Sequence, residues 1–325
     1  MKKKGTLMSF RPGIKLLDAT IRDGGLVNDF FFTDEFVKKL YETNKKAGLD
    51  YMEFGYKASK EIFDVNEFGK WKFCDEEDIR SIVGDNDGKM KISVMADVGR
   101  TDFEKDIIDK KDSVIDLIRV ATYINTIPAA IEMIEYCHDK GYETSCNIMA
   151  VSTSNDRDIN QALELLGNSS VDTIYIVDSY GSLYPEQIRD MSAVYLEAGE
   201  KYGKNIGIHA HNNQQLAFAN TVEAVAAGVN YIDATMSGMG RGAGNCSIEA
   251  AMGFLKNPRY RILTVLQFIQ SEMLKLKEEG LVWGYDIPYL LTGILNVHPR
   301  SAIAAVKDND TDYAEFYKTL WDKEG

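Results

Sequence analysis

The sequence predicts an α/β fold, a (β/α)8 TIM barrel followed by a helical C-terminal extension. Eight short apolar runs typical of strands occur between residues 14 and 234, and amphipathic helical stretches separate most of them. Several of these stretches end at a glycine just before the next strand, which is a signal for the end of a helix. Strand–helix alternation with short connections indicates a parallel sheet, and eight such units indicate a closed barrel. A doubly wound open sheet is the alternative, and the lack of a GxGxxG turn after the first strand disfavours it.

The predicted elements follow one another in regular order along the chain. The strands cover residues 14–19, 51–54, 91–95, 117–121, 143–149, 173–177, 206–210 and 231–234. The clearest helical patterns cover residues 33–47, 127–140, 155–166, 185–202 and 214–227. Further helices are expected at 262–279, 286–295, 299–305 and 313–321, a region too helical to continue the barrel. We therefore predict a barrel domain at residues 1–257 and an extension at 258–325, which packs across the C-terminal face of the barrel or against a second subunit.

The composition limits the classes of partner. The chain has 45% hydrophobic and 27% charged residues, as soluble globular proteins do. Its formal net charge of -13 argues against nucleic acid and anionic membrane as partners. The four cysteines lack CxxC spacing, so we expect reduced thiols in the cytoplasm rather than disulfides or a zinc ribbon. No apolar run follows the basic N-terminus, and none reaches the ~20 residues of a membrane span, so neither a signal peptide nor a span is expected.

Two histidines and an aspartate form the most informative pattern. His209 and His211 end the seventh predicted strand in the segment GIHAHNN, and alternate residues of a strand point to the same side. Asp23 is expected where the first strand ends. One carboxylate with two imidazoles suits a divalent ion such as Mn, Zn, Co or Fe. A surface pair or a packed pair of histidines is the alternative interpretation of the His-x-His spacing alone.

Charged and amide side chains also occur within or directly after apolar strands. Glu53 lies in the second strand, Arg119 in the fourth and Asn147 in the fifth, while Asp178 follows the sixth. A charge in an apolar run is costly unless it is paired or ligated, and barrel active sites collect at the C-terminal ends of the strands. We expect these side chains at the active site, with outward-facing salt bridges as the alternative. The glycine-rich loop 236–245 is predicted to cradle a phosphate or to cover the metal.

Three motifs in this order resemble a family of metal-dependent lyase and synthase barrels. They are LDATIRDGG at residues 17–25, GIHAHNN at 207–213 and a glycine-rich loop ending in GAGN at 242–245. The family includes 3-hydroxy-3-methylglutaryl-CoA lyase, isopropylmalate synthase, citramalate synthase and 4-hydroxy-2-oxovalerate aldolase. The resemblance covers about residues 14–255. The segments RVAT at 119–122 and VDS at 177–179 are most similar to the 4-hydroxy-2-oxovalerate aldolases.

This resemblance implies a role for each site residue. The ion would be Mn²⁺ first, or Mg²⁺, Co²⁺ or Zn²⁺, and its ligands would be Asp23, His209, His211 and Asn245. Arg22 would stabilise an enolate, and Tyr289 matches the catalytic tyrosine of the aldolases. The groups expected to bind substrate are Glu53, Arg119, Asn147, Asp178 and Ser179.

One position departs from the aldolase pattern. The resembled aldolases carry an acid–base histidine three residues after the motif aspartate, where this chain has Leu26. The group that takes the proton from the 4-hydroxyl is therefore open between Tyr289, a metal-bound water and His298. The pocket beside the aldehyde is also expected to be more apolar than in those aldolases.

The resemblance predicts a carbon–carbon lyase. The first hypothesis is a divalent-metal-dependent aldolase that cleaves or forms a 4-hydroxy-2-oxo acid through a pyruvate enolate, with a 2-oxo acid and an aldehyde as its small-molecule partners. The alternative is a Claisen-type synthase that condenses acetyl-CoA with a 2-oxo acid. A metal-binding scaffold without activity is a third hypothesis, and the complete set of motif residues argues against it. A homodimer and an aldehyde dehydrogenase partner are further expectations.

Overall fold

A computed structural model describes residues 13–324, which contain a closed barrel of eight parallel strands. The strands are β1 (Lys15–Asp18), β2 (Tyr51–Tyr56), β3 (Lys91–Asp97), β4 (Leu117–Thr122), β5 (Glu143–Ile148), β6 (Thr173–Asp178), β7 (Asn205–Ala210) and β8 (Tyr231–Ala234). Each strand pairs with the next in sequence, and β8 closes the barrel on β1. The predicted fold class is confirmed, and every predicted strand boundary lies within two residues of the observed one.

Helices surround the barrel and continue into the C-terminal region. In the described part of the chain they are α1 (Thr20–Asn28), α2 (Asp34–Ala47), α3 (Glu76–Val83), α4 (Phe103–Asp106), α5 (Ile127–Asp139), α6 (Asp156–Gly167), α7 (Pro185–Tyr202), α8 (Ala217–Ala227), α9 (Ile248–Leu255), α10 (Ile262–Phe268), α11 (Leu274–Glu278), α12 (Ile287–Ile294), α13 (Arg300–Lys307) and α14 (Tyr313–Glu324). The helix boundaries have the expected chemical signals. The Thr33 hydroxyl accepts the Phe36 N–H at the start of α2, and Gly48 ends α2 in a left-handed conformation.

The beginning of the barrel differs from the expectation in one respect. Strand β1 ends at Asp18, and Asp23 lies in the first turn of α1 rather than at a strand end. The Asp18 carboxylate accepts the backbone N–H of Thr20, so the chain turns directly from strand to helix. Gly24 and Gly25 argue against a helix by propensity. Tertiary packing requires them, because a β-carbon on Gly25 would overlap the Phe30 ring and one on Gly24 would lie 2.9 Å from the Met239 sulfur.

The C-terminal region is helical as predicted and reaches two faces of the barrel. A π-helical segment, Ile269–Met273, joins α10 to α11, so the helix predicted at 262–279 is one continuous run with a local widening. The first part of this run packs against α2 on the side of the barrel. Helix α12 lies over the loops after β6 and β7, where Asn213 donates to the Thr292 hydroxyl at 3.4 Å. The domain boundary at 257 stays a prediction.

Two further expectations concern membrane spans and disulfides. Among residues 13–324, no helix is long and apolar enough to cross a membrane. All four cysteines of the chain are buried, and none is paired in a disulfide. The N-terminal segment, for which the sequence predicts no signal peptide, lies outside the described residues.

Candidate metal centre and active-site cavity

A cavity opens at the C-terminal end of the barrel strands. Its polar lining residues are Arg22, Asp23, Tyr56, Tyr123, Asn147, Ser179, Tyr180, His209, His211, Arg241 and His298. Its apolar lining residues are Leu26, Met95, Ala121, Met149 and Val177. These residues come from several strand ends, from α1, from the glycine-rich loop and from the C-terminal extension. The cavity therefore lies where barrel active sites are expected.

Three of the predicted metal ligands meet in this cavity. Asp23, His209 and His211 each offer a ligand atom, and these atoms lie within 4.8 Å of one another. All three side chains are buried. His209 and His211 come from the end of β7 and the position just beyond it, as the strand periodicity predicts, while Asp23 reaches them from α1.

Hydrogen bonding leaves His209 ready to bind a metal. Its Nδ1 lies 3.1 Å from a carboxylate oxygen of Asp233 on β8. Because a carboxylate accepts hydrogen bonds, Nδ1 carries the hydrogen and Nε2 keeps its lone pair. That Nε2 is buried and has no hydrogen-bond partner among the described residues. A buried imidazole nitrogen without a partner, held in orientation by a carboxylate behind it, is the arrangement that metal-binding histidines have.

Asn245 lies against the same cluster. Its amide nitrogen donates to Asp23 Oδ2 and, at 3.2 Å, to the Met239 carbonyl. Its Oδ1 is buried without a hydrogen-bond partner in the described chain, and the predicted role of Asn245 as a further metal ligand stays a prediction. A β-carbon on Gly240 would collide with this amide and would lie 2.5 Å from Asp23 Oδ2. The glycine-rich loop therefore packs directly on the candidate metal centre, which favours the covering role over the phosphate cradle.

The electrostatics keep the ligand groups in the ionisation states that a cation requires. Burial favours the neutral form of Asp23, but the charge of Arg22 and the hydrogen bond from Asn245 oppose it, and the pKa of Asp23 lies well below its usual range. Burial lowers the pKa of His211 well below 6.5, and the Asp23 charge only partly opposes this. At neutral pH the carboxylate is therefore charged and the His211 imidazole is neutral, which is the combination that binds a metal without releasing protons first.

Arg22 is held by two carboxylates and keeps one donor free. Its Nε donates to Glu53 at 2.9 Å, and its Nη1 donates to Asp23 at 2.8 Å. Its Nη2 is buried and lacks a hydrogen-bond partner within residues 13–324. The guanidinium lines the cavity beside the metal ligands. A charged donor fixed in this way can hydrogen-bond to a substrate oxygen that gains negative charge.

A buried charge network lies beneath the cavity. Arg119 donates to Glu53 at 2.8 Å and to Asp233 at 2.5 Å, and all three side chains are fully buried. Burial opposes ionisation of Asp233, but Arg119 and His209 lower its pKa below the ordinary value. Glu53 thus joins Arg119 to Arg22, and Asp233 joins Arg119 to His209. Neither Glu53 nor Arg119 lines the cavity, so their contacts favour a positioning role, and the predicted substrate contact stays a prediction.

The other predicted substrate-binding residues lie in two environments. Asn147 and Ser179 line the cavity, where the Ser179 hydroxyl accepts the Ala150 N–H at 2.8 Å. Asp178 lies behind the wall, and its carboxylate accepts the N–H groups of Ser182 at 2.9 Å and Leu183 at 3.3 Å. Burial raises the pKa of Asp178 to about 7, against the effect of these hydrogen bonds. These contacts favour a role for Asp178 in shaping the loop after β6.

The structure separates the two acid–base candidates of the C-terminal extension. The Tyr289 ring packs with Ala243 and Ala302 and does not line the cavity. Its predicted catalytic role stays a prediction, and its position does not favour that role. His298 lines the cavity together with Leu26. Its Nδ1 accepts the Arg300 N–H at 3.1 Å, and burial with the charges of Arg241 and Arg300 lowers its pKa to about 4, so it is neutral near pH 7.

Sequence reasoning missed three groups at the candidate site. Asp233 has the same signal as Glu53, an acid within the apolar strand segment YIDA, and that signal could have identified it. Arg241 is the one cation of the glycine-rich loop, yet only tertiary structure brings it to the cavity. Tyr56 ends β2 and lines the cavity, but a tyrosine in a strand is ordinary and gives no functional signal.

A closed eight-stranded parallel barrel with this cluster in its mouth matches a known family of proteins. The HMGL-like family matches residues 13–270, and the chain belongs to this family. It is 28% identical to 4-hydroxy-2-oxovalerate aldolase from Pelotomaculum thermopropionicum over 254 residues, 77% of this chain and 72% of that protein. It is 28% identical to oxaloacetate decarboxylase from Mycobacterium tuberculosis over 244 residues, 74% and 69% of the two chains.

A solved structure gives the same result. The N-terminal domain of a proposed aldolase from Bacteroides vulgatus superposes with a TM-score of 0.77 at 25% identity. The superposition covers 90% of this chain and 97% of that one. Aldolases and a decarboxylase both break a carbon–carbon bond next to a carbonyl group. The chain is therefore a carbon–carbon lyase of the HMGL-like family.

Proposed function

We propose that the protein is a divalent-metal-dependent aldolase that makes or breaks the bond between the methyl carbon of pyruvate and an acceptor carbonyl. The observation that carries this proposal is the pair of free buried groups in one cavity, His209 Nε2 and Arg22 Nη2. The first is a nitrogen that can bind a metal ion, and the second is a cationic hydrogen-bond donor. Neither has a hydrogen-bond partner among the described residues. The aldolase names of the relatives at 26–28% identity support the same reaction.

The residues of the cavity fit a divalent cation. Asp23 supplies an oxygen, His209 and His211 supply nitrogens, and Asn245 Oδ1 is the fourth group. This mixture of oxygen and imidazole ligands suits Mn²⁺ first, with Mg²⁺, Co²⁺ or Zn²⁺ as alternatives. When bound, the ion would act as a Lewis acid that polarises the carbonyl group of a 2-oxo acid.

Arg22 would stabilise the enolate from the protein side. Its Nε and Nη1 are engaged by Glu53 and Asp23, so the plane of the guanidinium is fixed before substrate binds. The remaining Nη2–H can then donate to the 2-oxo oxygen as that oxygen gains charge. Because an arginine does not lose its proton in proteins, this group acts only as a donor.

Proton transfer at the 4-hydroxyl has two protein candidates. His298 lines the cavity, while Tyr289 packs beside it. The hydrogen bond from the Arg300 N–H to His298 Nδ1 leaves the hydrogen of the neutral ring on Nε2. In that tautomer His298 donates a hydrogen bond to a substrate oxygen, and accepting a proton requires a change of tautomer. Comparing His298→Gln with Tyr289→Phe in aldol cleavage distinguishes the two residues.

The test of this proposal is the exchange of the methyl protons of pyruvate with D₂O, followed by NMR. The reaction needs enolate formation and no aldehyde. We expect exchange in the Mn²⁺-loaded protein, background rates after chelation, and recovery when Mn²⁺ is restored. Exchange at full rate in metal-stripped protein would contradict the metal dependence. No exchange under any condition would contradict the aldolase itself. The homodimer and the dehydrogenase partner stay predictions.

A further inference from the structure

The cavity holds a second guanidinium, and its surroundings differ from those of Arg22. Arg241 comes from the glycine-rich loop and lines the cavity. Its Nη2 donates to the Ser179 backbone carbonyl at 3.0 Å, and its Nε is buried with no partner in the described part of the chain. Within residues 13–324, no carboxylate lies within 4.0 Å of its guanidinium nitrogens, whereas Arg22 contacts both Asp23 and Glu53.

The charges of the cavity leave Arg241 without a counter-ion. Asp23 is the only carboxylate among the described lining residues, and it is engaged by Arg22 and is the candidate metal ligand. A cation in a partly enclosed site that the protein does not neutralise is stabilised by an anionic ligand. The contact with a backbone carbonyl positions the guanidinium without cancelling its charge.

The two guanidinium groups are anchored by residues of strands that lie across the barrel from each other. Arg22 is fixed by Glu53 of β2, and Arg241 is fixed by Ser179, directly after β6. In a closed barrel with the order β1 to β8, β2 and β6 lie across from each other. A ligand that spans the cavity can therefore contact Arg22 at one end and Arg241 at the other.

Arg241 lies on the side of the cavity that the C-terminal extension covers. His298 of the extension lines the cavity there, and the Arg241 charge contributes to the low pKa of His298. Arg22 instead lies beside the metal ligand Asp23, where the 2-oxo acid end of a substrate would bind. With the 2-oxo acid end of the substrate on Arg22, the Arg241 side of the cavity takes the other end, the aldol acceptor.

We propose that Arg241 binds a carboxylate of the aldol acceptor, so that the substrate is a 4-hydroxy-2-oxo acid with a second carboxylate at its far end. This inference rests on the proposed aldolase function. In cleavage the 4-hydroxyl gives its proton to a base in the cavity, for which His298 is the lining candidate, and the C3–C4 bond breaks with its electron pair left on C3 as pyruvate enolate. A proton returned to C3 from that base or from solvent then gives pyruvate. C4 becomes the carbonyl carbon of an oxo acid, whose carboxylate stays on Arg241. The step needs no oxidant or reductant.

Binding of two inert five-carbon ligands tests the inference without catalysis. 2-Oxopentanedioate and 2-oxopentanoate share the 2-oxo acid end and differ by a carboxylate or a methyl group at the other. Calorimetry on the Mn²⁺-loaded protein should show tighter binding of the dianion. Arg241→Gln should weaken binding of the dianion by about 10²-fold, the usual loss when one partner of a close charge pair is removed, and should leave the monoanion nearly unchanged. Arg241→Lys should restore part of the loss, because the charge returns without the fork.

Arg300→Gln is the matched control. It removes a nearby positive charge that also acts on His298, but Arg300 does not line the cavity, so both ligands should bind as in the wild type. Equal weakening of both ligands in Arg241→Gln would show that Arg241 binds the shared 2-oxo acid end and would overturn the inference. No difference between wild type and Arg241→Gln would overturn it too. Proton exchange of pyruvate, measured on the wild-type and Arg300→Gln samples, tests the aldolase function separately from the binding of the two ligands.

Discussion

The floor and the mouth of the cavity are built in different ways. The floor consists of charges that compensate one another: Arg22 and Arg119 share Glu53, and Asp233 joins Arg119 to His209. The mouth consists of Leu26, Arg241 and His298, which come from a helix, a loop and the extension. The charge of Arg241 has no carboxylate partner in the described chain. Under the proposed function, the floor would form the enolate and the mouth would select the acceptor.

This division has a physical basis. Charges buried inside the barrel are costly unless each has a partner, so the floor tolerates few substitutions. Groups at the mouth come from segments that can change without disturbing the barrel. Substitutions confined to one region therefore test whether the function of the other region changes as well.

Arg22→Ala should have the largest effect. Removing a charged donor to a developing oxyanion costs about 10²–10³-fold in kcat, and here two buried carboxylates also lose their partner. Both pyruvate exchange and aldol cleavage should fall, and Arg22→Lys should recover only part of the loss. Arg189→Ala removes an exposed arginine paired with Glu223 and serves as the control. A normal exchange rate in Arg22→Ala would assign Arg22 a structural role.

Asp233→Asn should lower the affinity for the metal ion, because Asp233 contacts the ring nitrogen of His209 that does not face the metal site. The variant keeps the shape of the side chain but removes the charge that orients His209, and such partners are worth about 10–100-fold in metal affinity. Mn²⁺ titration measures the effect. Asp50→Asn is the control, because Asp50 pairs with Lys15 where β1 begins and should affect stability without affecting Mn²⁺ affinity. Unchanged Mn²⁺ affinity in Asp233→Asn would show that the buried charges of the floor do not influence metal binding.

His298 should give a smaller effect that depends on pH. Its pKa is about 4 in the folded protein, against about 6.5 in an unfolded chain. Between these values the unfolded chain binds more protons, so this contribution to stability is full above about pH 6.5 and is lost as the pH falls toward 4. His298→Asn should therefore reduce the fall in the urea midpoint between pH 7 and pH 4.5. An identical fall in both proteins would show that His298 is not the group that titrates.

Tyr289→Phe should have the smallest effect on catalysis. The ring packs with Ala243 and Ala302 outside the cavity, and phenylalanine keeps that packing. Aldol cleavage and pyruvate exchange should both stay close to the wild-type rates. A sharp loss of cleavage with normal exchange would instead support Tyr289 as the acid–base group of the acceptor step.

The sequence predicts the floor better than the mouth. The His-x-His spacing at the end of β7 follows from strand periodicity, and Glu53 and Arg119 stand out as charges in apolar strands. The helix that carries Asp23 could not be predicted from local signals, because Gly24 and Gly25 disfavour a helix and only contacts with distant residues explain them.

The mouth depends on tertiary contacts that a linear pattern does not contain. Arg241 reaches the cavity because its loop folds onto Asp23 through Asn245. His298 reaches it because α12 and α13 pack over the barrel, and the motif match that selected Tyr289 does not say which residue of the extension faces the cavity. The region proposed to select the substrate is therefore the region that the sequence predicts least well.

Counting bound Mn²⁺ tests the central claim most directly. Free Mn²⁺ gives a sharp electron paramagnetic resonance signal, and bound Mn²⁺ does not. The account predicts one tightly bound Mn²⁺ per chain in the wild-type protein and none at the same concentration in His211→Ala, with both proteins folded by circular dichroism. Equal binding by the two proteins, or no binding by the wild type, would show that Asp23, His209 and His211 do not form a metal centre.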